Sequence, residues 1–284
     1  MIRILTWNIQ YGLGTDGLID LARTARVARA MGDPDVLCFQ EVAVAFPELD
    51  KGNGADQAAY LAEMFPAHEA AFRPALDLRA KTGARRRRFG NMILSRLPLL
   101  SVASHVLPRP ADSSVIHMSR QALEATVETP FGTVRIVTTH LEYHSPVQRA
   151  AQVERLRDLH AEWTAAVRSP PRPGTGTYEP EPAMAGTILC GDFNFPPEDR
   201  SYARLQAPFD HDCPSFRDAW TIAHPDKAHA PTCGIHDRAQ WPEGPHARDF
   251  FFVSSEIIDR IEAVTVDTHT HASDHQPVLL TLRS

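Results

Sequence analysis

Apolar residues along this chain come in short, repeated runs. Strand-length examples are Ile2-Trp7, Val36-Gln40, Asn91-Ser95, Ala122-Val127, Val134-Thr139, Thr187-Cys190, Phe250-Val253, Ala263-Val266 and Val278-Leu282. Three stretches carry a helical period instead. Residues 18–31 end at Gly32-Asp33-Pro34, residues 55–65 form a second short helix, and the longest helix starts at Ser145-Pro146. There, serine is a good N-cap and proline suits the first helical position. This third helix places Val153, Leu156, His160, Trp163 and Val167 on roughly one side. Many strands follow one another without an intervening helix, so the pattern predicts mixed rather than purely parallel sheets. The segment 169–186 is rich in proline and glycine and reads as a surface loop rather than a domain linker.

Polar groups recur where these runs stop. Asn8 follows ILTW, Glu41 follows DVLCFQ, His140 follows VRIVTT, and Asp192 and Asn194 follow ILC. Asp249 opens FFFVS, and Asp274-His275 precede QPVLLTL. Strand ends are often polar, but repetition over separate strands points to a shared site if the fold gathers those ends. Glu41, Asp274 and the Asn8 amide are hard oxygen donors suited to magnesium or manganese. His140 and His275 suit phosphate contact and proton handling. No serine or cysteine accompanies them as a nucleophile with its own base, which argues against covalent acyl chemistry. Metal-assisted attack of water on phosphorus is the reaction this set would serve. Asp274 and His275 are sequence neighbours, so both reach one site only from a loop.

The segments TWNIQYG, DVLCFQEV, GNMILSR, TTHLEY, GDFNFPP, RDFFFVS and SDHQPV occur in the order and spacing of the endonuclease/exonuclease/phosphatase superfamily, which the chain resembles from Ile4 to Leu282. The resemblance implies one domain over 1–284 with an α/β (α+β) fold, a four-layer αββα sandwich of two mixed β-sheets flanked by helices. It implies Mg2+ or Mn2+ as cofactor, with Glu41 the principal metal ligand and Asn8 and Asp274 completing the site. By the same resemblance Asp192 orients and deprotonates water, Asn194 and His140 hold phosphate oxygens, and His275 sits on the phosphoryl group with its other nitrogen held by Asp249. The resemblance leaves open whether Asp192 or His275 is the base. Arg248 stands where the family usually has an aliphatic residue. Asn91 is read either as a substrate-binding support or as a strand-start amide.

Bulk properties narrow the substrate. The 284 residues are 43% hydrophobic, ample for a large core. The net charge of −6 gives no general attraction to nucleic acid, so polyanion binding requires a local basic patch. Arg85-Arg86-Arg87-Arg88 is the dense basic run, read as a solvated loop or as an anion-attracting rim. The expected reaction is hydrolysis of a phosphoester, with a phosphodiester favoured and the substrate a small phosphoester, a phospholipid headgroup or nucleic acid. Two other readings are a zinc hydrolase using His269, His271, Asp274 and His275, and a non-catalytic binding module of the same fold. The four scattered cysteines, the absence of a basic-then-apolar leader and the absence of a membrane-length apolar run suggest a cytoplasmic protein with no obligate protein partner.

Overall fold

The computed structural model describes residues 1–49, 54–80, 85–180, 182–210 and 212–284. Strands β1 (Ile2–Asn8), β2 (Val36–Val44), β3 (Glu69–Arg79) and β4 (Arg86–Ser95) belong to one sheet with β11 (Ile261–Val266) and β12 (Val278–Leu282), in the order β11-β12-β1-β2-β4-β3. The second sheet contains β5 (Leu99–Val106), β6 (Gln121–Thr129), β7 (Gly132–His140), β8 (Met184–Asp192), β9 (Phe216–Asp218) and β10 (Asp249–Ser254), in the order β5-β6-β7-β8-β10-β9. Both sheets are mixed, because β1–β2 and β7–β8 are parallel pairs among antiparallel neighbours.

Strand parity explains the layering. On β1, Ile4 joins the core between the sheets while Leu5 and Trp7 join an outer cluster with Ala25 and Ala28 of α1 (Leu21–Ala30) and Leu61 of α2 (Gln57–Met64). On β8, Ile188 and Cys190 face the inter-sheet core, whereas Leu189 packs outward with Val153 and Leu156 of α3 (Pro146–Arg168) and Leu205 of α4 (Arg200–Gln206). A short α5 (Ala219–Ala223) follows β9 directly. Strands buried on both faces read as continuous apolar runs, which is why these were visible in the sequence. The result is the expected helix–sheet–sheet–helix sandwich.

Helix α3 begins as expected, with Ser145 Oγ accepting from the Gln148 amide and Pro146 in the first turn. Its inward side is more polar than the apolar residues alone suggest: Gln148, Arg149, Gln152 and Arg157 are buried, while Val167 is exposed. Strands β3, β5 and β9 escaped the apolar pattern. β3 and β5 are edge strands with almost no fully buried residues, and β3 is interrupted by Pro74 and a register shift between Pro74 and Leu76. The proline-rich stretch contains one 3-10 turn at Gly176–Tyr178 and ends where β8 begins at Met184; residue 181 within it lies outside the described residues. All four cysteines are free. Among the described residues, no helix is long and apolar enough to cross a membrane.

Candidate active site

The inter-sheet faces turn polar together at one end of the sandwich. Ile4 gives way to Thr6 and Asn8 on β1, Cys38 to Gln40 on β2, Ile136 to Thr138 and His140 on β7, and Ile188 and Cys190 to Asp192 on β8. His140 pairs with Asp192, and Asp192 with Asp249, so three strands put these side chains in one row. Gln40 ties the two sheets just below, donating from Nε2 to Thr6 Oγ1 at 3.1 Å and to Thr138 Oγ1 at 2.8 Å. Within the second sheet, Gly191 lets β8 lie close against β7, since a Cβ there would collide with the Thr139 carbonyl oxygen.

Glu41 is delivered differently from the expectation. It does not end its strand: β2 continues to Val44, and the register with β4 shifts between Phe39 and Val42. Glu41 is the irregular residue, at φ 62°. A bulge re-aims one side chain without ending the strand, so Gln40 faces the inter-sheet space and Glu41 can still face the site. Asn194, at φ 54°, lies just past the end of β8, where its backbone amide donates to Asp192 Oδ1 at 2.9 Å. Non-glycine residues in the left-handed region are costly and persist only where the surroundings hold them.

Asp274 and His275 come from a loop before β12, as their adjacency requires. Trp7 Nε1 donates to the His275 carbonyl at 3.0 Å, and Ser273 Oγ donates to the Asn8 carbonyl at 2.8 Å, so this loop is fastened to the end of β1. His275 Nδ1 lies 2.8 Å from Asp249 Oδ2, and its Nε2 lies 3.6 Å from Asp192 Oδ2. Asn8 Nδ2 donates to Glu41 Oε1 at 3.1 Å and to Asp192 Oδ2 at 3.0 Å, while its Oδ1 accepts from the Gln10 amide. The Asn8 amide thus bridges two carboxylates. His140 stands 3.4 Å from Asp192 and 3.8 Å from Glu41.

Burial and crowding reshape the acid–base properties. Burial, then the Asp274 charge, pushes the Glu41 carboxyl up to about 7. Burial raises Asp274 as well. Burial opposes ionisation of Asp192, but His275, His140 and the Asn8 hydrogen bond outweigh it and hold the carboxyl below its usual range. Burial alone would lower His275; Asp249, Asp192 and Asp274 together hold its imidazole well above the usual histidine range. His140 is pushed down to about 3 by burial and by Arg120. The two imidazoles are therefore shifted in opposite directions, His275 up and His140 down.

Among the described residues, Asp192, Asp249 and His275 are the one trio of candidate ligands whose donor atoms lie within 4.8 Å of one another. Within this trio the Asp249 and Asp192 carboxylates favour the protonated form of His275, and an imidazolium has no lone pair to offer a cation. The hard-oxygen set of Glu41 and Asp274, with Asn8 beside it, is the better match to a divalent cation, because burial opposes ionisation of both carboxylates more than the nearby His275 relieves it.

These residues line a cavity of about 350 Å3 that contains Asn8, Glu41, His140, Asp192, Asn194, Asp274 and His275. Arg120, Tyr143, His144, Gln240, Trp241, Phe89 and Met118 complete its wall and were not found from sequence. Arg120 is buried, with Nε donating to Glu142 Oε2 at 3.2 Å and Nη1 without a hydrogen-bond partner. Gln240 Nε2 and Trp241 Nε1 both donate to Asp274 Oδ2, at 2.8 and 3.3 Å. No motif marks this loop, although SRQALEATV places Arg120 at the mouth end of a strand. Two larger clefts, of about 490 and 430 Å3, lie along α3–α4 and beside α1–α2, away from the carboxylate–histidine row.

Other expected residues lie elsewhere. Asn91 is buried behind the cavity, donating from Nδ2 to the Gln121 and Thr138 carbonyls across the sheets. Of the arginine run, Arg86 to Arg88 are not in a loop but on β4, paired antiparallel with β3, and they form ion pairs with Asp77, Glu48 and Asp56. Arg85 is exposed, and none of the four lines the cavity. His269 and His271 are exposed, with His271 at 3.0 Å from Thr15 Oγ1 and stacked on His236. They do not converge with His275 into a zinc site.

Compared with curated proteins by sequence, the chain has no significant match. Solved structures do resemble it. An endonuclease/exonuclease/phosphatase from Beutenbergia cavernae is 25% identical, with a TM-score of 0.65 over 99% of this chain and 71% of that one. The 3′ phosphatase NExo from Neisseria, bound to product DNA hairpin, is 20% identical, with a TM-score of 0.63 and full coverage of both chains. A mannosyl-6-phosphatase from Bacteroides thetaiotaomicron is 17% identical, with a TM-score of 0.66 and full coverage of both. Residues 5–275 match the description of one family, and with that span the chain belongs to the endonuclease/exonuclease/phosphatase family.

Proposed function

We propose that this protein hydrolyses a phosphoester, with a phosphodiester favoured, by attack of water on phosphorus at a Mg2+- or Mn2+-dependent site. The observation that carries this reading is the gathering of Glu41, Asp192, Asp249 and Asp274 beside His140 and His275 at the polar end of the inter-sheet core. Glu41 and Asp274 would hold the cation, with Asn8 fixing the Glu41 carboxylate in place. A bound divalent cation supplies Lewis-acid polarisation of a phosphoryl oxygen and offsets the crowded negative charge.

The chain's own groups divide the remaining work. Asp192, kept ionised, accepts a hydrogen bond from the attacking water and takes its proton. His275, kept protonated by Asp249, donates from Nε2 to the phosphoryl group. Neutral His140 presents one N–H, and Arg120 Nη1 presents a charged donor, to the other phosphoryl oxygens. Asn194 adds an amide donor. Stabilisation of the charge-rich transition state by fixed donors in a partly dry cavity is the main catalytic effect expected for phosphoryl transfer.

The test is a hydrolysis panel with and without Mg2+ or Mn2+. It comprises a simple diester, a simple monoester, plasmid DNA and a phospholipid headgroup ester, run beside Asp192→Ala and His275→Ala. The monoester arm matters because similar structures include a 3′ phosphatase and a mannosyl-6-phosphatase. The expected result is turnover of at least one ester that is metal-dependent and lost in both variants. Equal rates in wild type and variants would remove the assignment, and restoration by zinc alone would redirect it.

A further inference from the structure

We infer that the mouth of this cavity is a stacking subsite for a planar ring on the substrate, with Tyr143 as its platform. The inference rests on the phosphoester site proposed above and specifies what the phosphoryl group carries. Tyr143 is 40% exposed and lines the same cavity as Asp192 and His275. An exposed aromatic ring would ordinarily be mobile. This one is held on several sides. Arg248 stacks its guanidinium carbon 5.5 Å from the Tyr143 ring centre and 4.8 Å from that of Trp241. Trp241 meets Tyr143 edge-on at 5.8 Å, and His144 does so at 4.7 Å.

The backbone under the ring is equally fixed. Buried Arg149 donates from Nη1 to the Glu142 carbonyl at 2.8 Å and to the Tyr143 carbonyl at 2.9 Å. Asn194 Nδ2 donates to the Leu141 carbonyl at 2.9 Å, tying this segment to the residue expected to hold phosphate. A ring immobilised before binding costs little entropy when a ligand stacks on it. Arg248 thus clamps two aromatic rings at the wall of the cavity.

Charge at the rim favours a ring over a long phosphate backbone. Arg248 is engaged with the Asn194 carbonyl at 3.3 Å, His246 and Glu243, and Arg87 and Arg88 face Glu48 and Asp56. A polyanion track needs a line of available cations, and these are committed. A cavity of about 350 Å3 is also near the lower limit for small-molecule sites. The chemistry recognised is therefore one phosphoryl group bearing an aryl or nucleobase-type ring.

Equilibrium binding of non-hydrolysable phosphonates tests this without turnover. Calorimetry with Mg2+ present would compare phenylphosphonate, cyclohexylphosphonate and a thymidine 5′-methylenephosphonate, using wild type, Tyr143→Ala, Tyr143→Leu and Tyr143→Phe. Wild type and Tyr143→Phe should bind the planar ligands about tenfold more tightly than cyclohexylphosphonate, and Tyr143→Ala and Tyr143→Leu should lose that preference. A larger preference for the thymidine compound assigns the subsite to a nucleobase, and a larger one for phenylphosphonate assigns it to an aryl group. Equal affinity for planar and puckered rings in wild type, or a preference that survives Tyr143→Leu, would overturn the inference. Ring-selective binding without ester hydrolysis would instead sink the hydrolytic reading and leave the subsite standing.

Discussion

His275 and Asp249 meet at 2.8 Å, joining a loop before the last strand to the first residue of β10. The two are 26 positions apart, and both are buried. Asp249 Oδ1 has no hydrogen-bond partner of its own, so the carboxylate is directed almost wholly at the imidazole. This pairing fixes the ring orientation and favours the protonated form of His275.

Replacing Asp249 with Asn should retain the shape and remove the charge. Asp249 is among the groups that raise His275, so its loss should move the imidazole back down, read by NMR titration of the ring protons. Hydrolysis should fall by up to about 10^4-fold in kcat with a smaller change in KM, by analogy with another carboxylate-oriented histidine. An unchanged imidazole titration would show that Asp249 does not hold the proton.

Glu41 links metal, pH and stability. Its folded pKa of about 7 lies above the ordinary 4.5, so its contribution is fully present below 4.5 and is lost as pH rises through about 7. In the metal-free protein at pH 8, Glu41→Gln should therefore be more stable than wild type by about 2–3 kcal/mol, and the gain should vanish near pH 4. Mg2+ should raise the thermal midpoint of wild type at pH 8 and that of the variant far less. Identical responses to chelator and to Mg2+ in the two proteins would contradict the role given to Glu41.

His160 predicts acid sensitivity remote from the cavity. Its Nε2 lies 2.8 Å from the Pro214 carbonyl, while the buried Nδ1 has no partner, and burial pushes its pKa down to about 4. A depressed folded pKa means that stability is complete above the ordinary 6.5 and declines as pH falls toward 4. Wild type should lose about 3 kcal/mol over that window that His160→Gln does not, measured by urea unfolding at each pH. Parallel stability curves would refute the assignment.

The arginines separate by position. Neutralising Arg85, Arg86, Arg87 and Arg88 together should leave KM and its salt dependence unmoved, because none lines the cavity and Arg86 to Arg88 face Asp77, Glu48 and Asp56. Arg120→Gln should cost on the order of 10^2-fold in kcat/KM, the scale of losing one charged donor to a phosphoryl group. Steady-state kinetics over a salt series checks both, and a strong effect from the β4 run would place the substrate path along that strand.

The sequence by itself determined the strands that are buried on both faces, the caps of α3 and the polar residues that stop the apolar runs, because these follow from local periodicity and side-chain chemistry. It also implied the loop origin of Asp274 and His275, since adjacent strand residues face opposite ways. Only the tertiary structure decided that the inter-sheet faces of β1, β2, β7 and β8 turn polar at the same end, that a bulge rather than a strand end aims Glu41, and that Asn91 points to backbone carbonyls across the sheets. The edge strands β3, β5 and β9, and the wall formed by Arg120, Tyr143, Gln240 and Trp241, were likewise invisible beforehand. β3 and β5 bury too little to leave a periodic mark, and β9 is only three residues long. Wall residues from distant loops are neighbours only after long-range pairing has closed the sandwich, a relation that no local pattern encodes.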